Sequence, residues 1–347
     1  MRVVVTGGAG FIGTAVVRAL APTVDDVVVL DSLRPDVHRD AGTAARDRMS
    51  ALGAQLVEAD VRDLPTVRAH LRGADAVVHL AAKVGLGVDL DDMDDYVSSN
   101  SLGTATVLRA CHSAGVRHVV QASSMVVYGE GAYTCDTHGP VSPALRTTDR
   151  LDRGDFDPGC PVCGADLSPA LVGEDTAPDP RNTYAATKVA QEQLAAVWAR
   201  ETGGAATSLR LHNVYGPGMP RATPYSGVAA IFWTAAAQGL SPQVYEDGGQ
   251  RRDFVHVDDV AAAFVAALLR DVPGHTAYNV GSGVVHTIGD LAAKLSLLAG
   301  APHPVVTGRY RLGDVRHITA SSERAARELG WRATVPLRAG LDGLSFS

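Results

Sequence analysis

Short apolar runs alternate with amphipathic stretches through the first two-thirds of the chain. Residues 1–5, 27–30 and 76–82 are almost wholly apolar and rich in β-branched side chains; 54–61 and 116–122 are more mixed but share the bias. Runs of this length predict strands buried on both faces of a parallel sheet. Between them, 14–20, 100–114 and 184–200 carry apolar residues at helical spacing. The alternation predicts an α/β fold, a doubly wound parallel sheet of the Rossmann kind with ligands at the carboxyl ends of the strands.

The first strand runs into Thr6-Gly7-Gly8-Ala9-Gly10-Phe11-Ile12-Gly13, which opens the first helix. Gly7 permits a tight turn, Gly10 lets backbone approach a pyrophosphate, and Gly13 lets helix and strand pack closely. Phe11 and Ile12 lie on the same cofactor-facing turn. The second strand ends in Asp31, eighteen residues past Gly13, where a carboxylate accepts hydrogen bonds from an adenosine ribose. Its charge would repel a 2′-phosphate, which favours NAD; Arg34 nearby keeps NADP open. Asp60 and Val61, ending the third run, are placed to meet an adenine by one polar and one apolar contact. Leu80, Ala81 and Ala82 end the fourth run and lead into Lys83-Val84-Gly85. Small residues there suit close approach to a cofactor, or simply strand–turn packing.

Tyr184 and Lys188 sit one turn apart on one helix face. A phenol is too weak an acid for proton exchange near neutrality, and a neighbouring ammonium lowers its pKa toward that range. An accidental surface pair is the alternative. Lys188 is, however, one of only three lysines, with Lys83 and Lys294, in an arginine-rich chain.

With TGGAGFIG at 6–13, Asp31, HLAA at 79–82, SSMVVYG at 123–129 and YAATK at 184–188, the chain resembles the extended short-chain dehydrogenase/reductases. RLHNVYGPG at 210–218, RRDFVHVDDVA at 251–261, YNVGSG at 278–283, RLGDV at 311–315 and ELGW at 328–331 extend the likeness. The branch it looks like is the NAD-dependent nucleotide-sugar epimerases and dehydratases, typified by UDP-galactose 4-epimerase. The insert and later motifs look most like the dTDP-L-rhamnose 4-epimerases.

The resemblance implies roles at matching positions. Tyr184 would be general base and acid. Lys188 would bind the nicotinamide ribose and tune Tyr184, and Ser124 would hydrogen-bond the reacting sugar oxygen. Asn100 matches a structural, cofactor-side asparagine. Asn213, Arg252 and Arg311 match positions that hold a nucleotide diphosphate, which suits planar guanidinium forks. It also implies that residues 1–212 form the NAD-binding domain, with 251–269 returning to it, and that 213–347 form a smaller α/β nucleotide-sugar-binding domain. A helix beginning near 224–228 would border the substrate. Helices near 100–114 and 184–200 would form a homodimer interface. The related sugar 4,6-dehydratases carry an Asp-Glu pair after the active-site hydroxyl residue. Here Met125 and Val126 stand there, and neither can exchange a proton, so elimination is not expected.

The reading is therefore 4-epimerisation of a dTDP- or UDP-hexose through a 4-keto intermediate, dTDP-L-rhamnose to dTDP-6-deoxy-L-talose in particular. The alternatives are an NAD(P)H-dependent 4-keto-sugar reductase and a non-catalytic dinucleotide sensor.

Sixty positions separate Ser124 from Tyr184, more than this family usually needs. The excess, 130–175, holds three of the four cysteines, in Cys135-x-x-His138 and Cys160-x-x-Cys163. Two such pairs supply four soft or borderline ligands, enough for a tetrahedral structural zinc. The surrounding segment, rich in Pro and Gly, has little core of its own, so a metal staple suits it. A redox pair at Cys160 and Cys163, or free thiols, are the other readings. Cys111 reads as a packed helix residue.

Composition narrows the picture further. The 347 residues are 46% apolar and 20% charged, with a net charge of −7. An acidic chain without basic runs is not expected to bind nucleic acid. No apolar stretch reaches membrane-spanning length. The first strand begins at residue 1, so no signal peptide is expected and the cytoplasm is the expected compartment.

Overall fold

The computed structural model describes residues 1–38, 42–85, 90–221 and 226–344. In chain order the first half comprises β1 (Arg2–Thr6), α1 (Phe11–Leu20), β2 (Asp26–Asp31), α2 (Thr43–Ala51), β3 (Gln55–Glu58), α3 (Leu64–Leu71), β4 (Ala76–His79), α4 (Met93–Tyr96), α5 (Gly103–Ala114) and β5 (His118–Ser124). The insert contributes β6 (Ala132–Cys135), β7 (Gly139–Val141), α6 (Thr148–Leu151) and β8 (Ser168–Ala170). Then follow α7 (Thr183–Thr202), β9 (Ala205–Leu211), β10 (Asn213–Tyr215), α8 (Val228–Ala237), β11 (Gln243–Val244), β12 (Arg251–His256), α9 (Val257–Leu269) and β13 (Gly274–Val280). The last elements are β14 (Val285–Thr287), α10 (Ile288–Ala299), β15 (Val305–Val306), β16 (His317–Ile318), α11 (Glu323–Leu329) and α12 (Leu337–Asp342).

Seven parallel strands form the main sheet in the order β13-β9-β5-β4-β1-β2-β3. The order reverses between β1 and β4, which opens a crevice at their carboxyl ends. Alternation along β1 divides the core. Val3 and Val5 pack with Val16, Val260 and Phe264 on one face, while Val4 packs with Val67, Val107 and Trp198 on the other. Cys111 is fully buried in the second of these clusters, as expected.

A second layer of short strands, β10-β12-β14 with β16 on β12, lies in the later half, with its own core around Tyr215, Trp233, Phe254 and Leu291. The division of the chain differs from the expected boundary at 212/213. Of the 251–269 segment, α9 packs on the large sheet and against α1, and Val255 of β12 joins the same core, while β12 pairs within the small sheet. The edge strand β13, placed by the sequence in the second domain, pairs with β9 along its whole length. Its Tyr278 and Val280 are fully buried in the first core cluster, a gain available only beside β9.

Smaller differences concern element ends. β3 stops at Glu58 and β4 at His79, so Asp60–Val61 and Leu80–Ala82 lie just beyond their strands. The helix expected from residue 100 starts earlier, at Met93, and is continuous through a π-wound stretch, Val97–Leu102. The helix expected from 224–228 begins at Val228, and residues 224–225 lie outside the described residues. The insert folds as a three-stranded antiparallel sheet, β7-β6-β8.

Candidate active site

The glycine turn is built by steric exclusion. A Cβ on Gly7, whose φ is +70°, would lie 2.6 Å from the Ala81 nitrogen, and one on Gly13 would lie 2.2 Å from the Gly7 oxygen. A Cβ on Gly10 would meet nothing nearer than 3.4 Å, so this face of the turn is open to a ligand. Gly10 caps α1, leaving the first amides of the helix for an anion. Asp31 is oriented by two backbone donors, Ala9 N–H and Leu33 N–H, each at 3.0 Å to a different carboxylate oxygen. Arg34 is held by Asp36 at 3.1 Å and Asp95 at 3.0 Å. Its charge is spent on two carboxylates, which weakens the case for a 2′-phosphate.

Asp60 is engaged by Arg62, whose Nη2 lies at 2.6 Å, and the arginine holds the carboxyl below its ordinary pKa. Val61 is buried with its side chain against Gly103. Both therefore have protein partners where the sequence expected an adenine. The Leu80 and Ala81 backbone packs against Gly7, and Ala82 follows at the same edge.

Asn100 is fully buried. Its Oδ1 accepts from Lys83 N–H at 2.7 Å, and its Nδ2 donates to the Lys83 carbonyl at 3.0 Å and to Thr187 Oγ1 at 2.9 Å. One side chain thus ties the segment after β4 to α7. The π-winding around it is what aims it inward. Sequence reasoning missed this, and it missed the partners of Lys83, whose buried ammonium sits 2.7 Å from Asp92 and 2.9 Å from Asp95. The scarcity of lysine was the available signal: Lys83 and Lys188, two of the three, are both buried at this site.

Ser124 ends β5, and Tyr184 and Lys188 occupy the first turns of α7, whose N-terminus is capped by Asn182 accepting from Ala185 N–H at 2.9 Å. The Ser124 hydroxyl is near enough to the Tyr184 phenol to lower its pKa, and the Tyr96 ring stands 6.2 Å from the phenol ring. The Lys188 ammonium lies 5.8 Å from the Tyr184 ring centre and donates to the Ala122 carbonyl at 2.9 Å. The expected spacing is therefore present, but burial dominates both groups. It pushes the phenol up to about 12, against the influence of the Ser124 hydroxyl, and pushes the ammonium down to about 7, against the charge of Glu192. The lysine is not among the groups that lower the phenol.

One turn further on, buried Glu192 accepts from Arg210 at 2.7 Å and from Ser123 Oγ at 2.5 Å, so the residue before Ser124 is pinned to the helix that carries Tyr184. Met125 and Val126 follow Ser124 in a 3₁₀ turn and bring no acid or base.

Asn213 and Arg252 lie on neighbouring strands of the small sheet. Arg252 donates to the carbonyls of Arg251, Val315 and Arg316 at 2.7–3.0 Å, and burial pulls its pKa down. It makes no carboxylate contact within 4 Å among the described residues, so it is a half-buried cation suited to an anionic ligand. Arg311 is exposed, 5.2 Å from the Tyr245 ring, in the loop before β16.

In the insert, Cys135, His138, Cys160 and Cys163 converge, their ligand atoms all within 4.8 Å of one another. Cys135 Sγ is 3.8 Å from Cys163 Sγ and 3.5 Å from His138 Nδ1, and Cys160 Sγ is 3.6 Å from the same nitrogen. A tetrahedral zinc with ordinary bond lengths has S···S edges of about 3.8 Å and S···N edges of about 3.6 Å. The donor set and its spacing fit that ion.

The chain matches the family described as "NAD dependent epimerase/dehydratase family" over residues 3–146 and 161–281. The unmatched stretch between these segments lies in the insert. The chain is 36% identical over 347 residues to a dTDP-L-rhamnose 4-epimerase of Burkholderia thailandensis, covering 99% of this chain and 93% of that protein. It is 32% identical to a UDP-glucose 4-epimerase of Mycolicibacterium smegmatis, covering 98% and 96%. Among solved structures, a Thermus thermophilus UDP-glucose 4-epimerase in complex with NAD superposes with a TM-score of 0.75 at 30% identity, covering 99% of this chain and 97% of that one.

Proposed function

The chain belongs to the NAD dependent epimerase/dehydratase family, and on that premise we propose that it is an NAD-dependent nucleotide-sugar 4-epimerase. The observation that carries the reading is the convergence of Ser124, at the end of β5 on the carboxyl edge of the sheet, with Tyr184 and Lys188 on α7, the ammonium 5.8 Å from the phenol ring centre. NAD would lie along the glycine turn and Asp31, with Leu80–Ala82 and Asn100 shaping its nicotinamide side. Bound there, it supplies the hydride acceptor and donor for sugar C4. Tyr184 takes the proton from the C4 hydroxyl and returns it after the ring has turned, and Ser124 hydrogen-bonds the same oxygen. Asn213, Arg252 and Arg311 hold the diphosphate. Half-buried Arg252, with no carboxylate within 4 Å among the described residues, supports this most directly.

The favoured substrate is dTDP-L-rhamnose, giving dTDP-6-deoxy-L-talose. The Burkholderia relative supports it, matching along nearly the whole chain. Met125 and Val126 support epimerisation over dehydration.

We further assign a structural zinc to Cys135, His138, Cys160 and Cys163; four protein ligands leave no open position for chemistry. A homodimer is the proposed assembly. Met93, Val97, Leu102 and Val197, large apolar residues exposed on the α4–α5 rod and on α7, support a shared helical face. The cytoplasm remains the proposed compartment; among the described residues no helix is long and apolar enough to cross a membrane.

The test uses protein as purified, without added cofactor, incubated separately with dTDP-L-rhamnose, dTDP-glucose, UDP-glucose, UDP-N-acetylglucosamine and UDP-glucuronate. The expected result is conversion of dTDP-L-rhamnose to its 4-epimer, resolved by chromatography. Stoichiometric consumption of added NADH or NADPH by a 4-keto sugar, without epimer formation, would replace the reading with a reductase.

A further inference from the structure

His212 is the first residue beyond β9. The residue before it, Leu211, pairs with Ser124 on one side and with Val280 on the other, and His212 N–H continues that register by donating to the Val280 carbonyl at 3.0 Å. The imidazole therefore stands at the carboxyl edge of the sheet, one strand from the active-site serine, where ligands bind in this architecture. It is only 4% exposed, yet neither Nδ1 nor Nε2 has a hydrogen-bond partner among the described residues. The Oδ1 of the adjacent Asn213 is also without one.

Other buried histidines show what this departure costs. His79 uses both ring nitrogens, on Thr6 and Thr104, and His317 uses both, on Arg251 N–H and Asp157. Each buried polar atom left without a partner costs on the order of 1–3 kcal/mol. Two on one ring, beside a third on the next residue, mark a surface that a ligand completes. Burial keeps the ring neutral against the nearby Asp253, with Arg252 acting in the same direction as burial. A neutral imidazole offers one donor and one acceptor. A diphosphate only accepts and would satisfy half of it. A sugar hydroxyl both donates and accepts.

We propose that His212, at the strand end next to Ser124 and near Arg252, is a specificity-determining residue that hydrogen-bonds hydroxyl groups of the hexose. The proposal rests on the nucleotide-sugar reading and adds to it the group that recognises the sugar rather than the nucleotide.

The experiment compares wild type, His212→Phe and His212→Gln, each isolated with its bound NAD. Calorimetric binding of dTDP-L-rhamnose and UDP-glucose is measured beside dTDP and UDP, and NAD content is read from absorbance. The phenylalanine variant is expected to weaken the nucleotide sugar that wild type binds by about tenfold or more, and the nucleoside diphosphate by less than about twofold. Glutamine, which keeps a donor and an acceptor, is expected to recover part of the loss, with NAD content unchanged throughout. Equal weakening of sugar and sugar-free ligands, no weakening, or loss of NAD would overturn the role. Wild-type protein that binds no nucleotide sugar would instead overturn the reading on which it rests.

Discussion

Arg146 of the insert and Glu246 of the later half lie 2.8 Å apart, one hundred residues apart in sequence, and both side chains are buried. The same arginine reaches Glu130 at 3.6 Å and donates to the Asp314 carbonyl, while Glu246 also holds Arg316 at 2.9 Å. Arg316 in turn binds Asp157 of the insert at 2.8 Å. The insert is therefore locked to the loop between Arg311 and β16, whose carbonyls Arg252 also uses.

Replacing Arg146 with methionine leaves Glu246 and Glu130 short of a buried counter-charge. A loss of about 3 kcal/mol in unfolding free energy is expected. Denaturant unfolding measures it, and adding Glu246→Gln to the same chain should return part of the loss.

The Cys/His cluster predicts one zinc per chain in protein purified without chelator. Chelation should release it and make Cys135, Cys160 and Cys163 reactive toward an alkylating reagent. Cys111 should stay protected, because it is buried in the core between sheet and helices. Protein free of zinc, with the three insert thiols already reactive, would sink the assignment.

Tyr184→Phe removes one oxygen and leaves the ring beside Tyr96. Turnover should fall about 10³-fold, the scale of a lost acid–base group, while bound NAD and nucleotide affinity stay near wild type. Lys188→Met should instead reduce NAD retention along with turnover. Rates, cofactor content and binding measured on both variants separate the two roles.

His79 carries a pH prediction. Burial, with the Lys188 charge, pushes its pKa down to about 3 from an ordinary 6.5. The folded imidazole thus stays neutral where the unfolded one takes up a proton. Stability from this group is complete above pH 6.5 and is lost as pH falls from there toward 3, with a limiting slope of about 1.4 kcal/mol per unit. Unfolding measured between pH 7 and 4 should show the slope, and His79→Gln should flatten it.

Much of the cofactor half was legible because its signals are local. Gly7 and Gly13 are required by contacts that a Cβ would break, and Asp31 stands where β2 ends beside them. The convergence of Cys135, His138, Cys160 and Cys163 was legible because two such pairs at short spacing have few structural uses. Asn100 was marked as a position, but its π-turn was not, since a π-turn depends on what the inward side chain must reach, here Lys83 and Thr187. The pKa tuning expected of Tyr184 by Lys188 was inferred from spacing alone, whereas burial, which spacing does not encode, dominates the phenol.

The sequence by itself determined the strands, the glycine turn, the tyrosine–lysine spacing and the clustering of zinc-type ligands. Each depends on sterics or periodicity over a few residues, which the chain carries wherever it folds. Only the tertiary structure decided that β13 completes the large sheet, that Arg146 meets Glu246, and that His212 is buried with both nitrogens unmet. Those outcomes depend on which surfaces far apart in the chain are pressed together, and on what is then shut off from water. Burial fixes both the cost of an unpaired polar group and the direction of a pKa shift, and no local pattern encodes it.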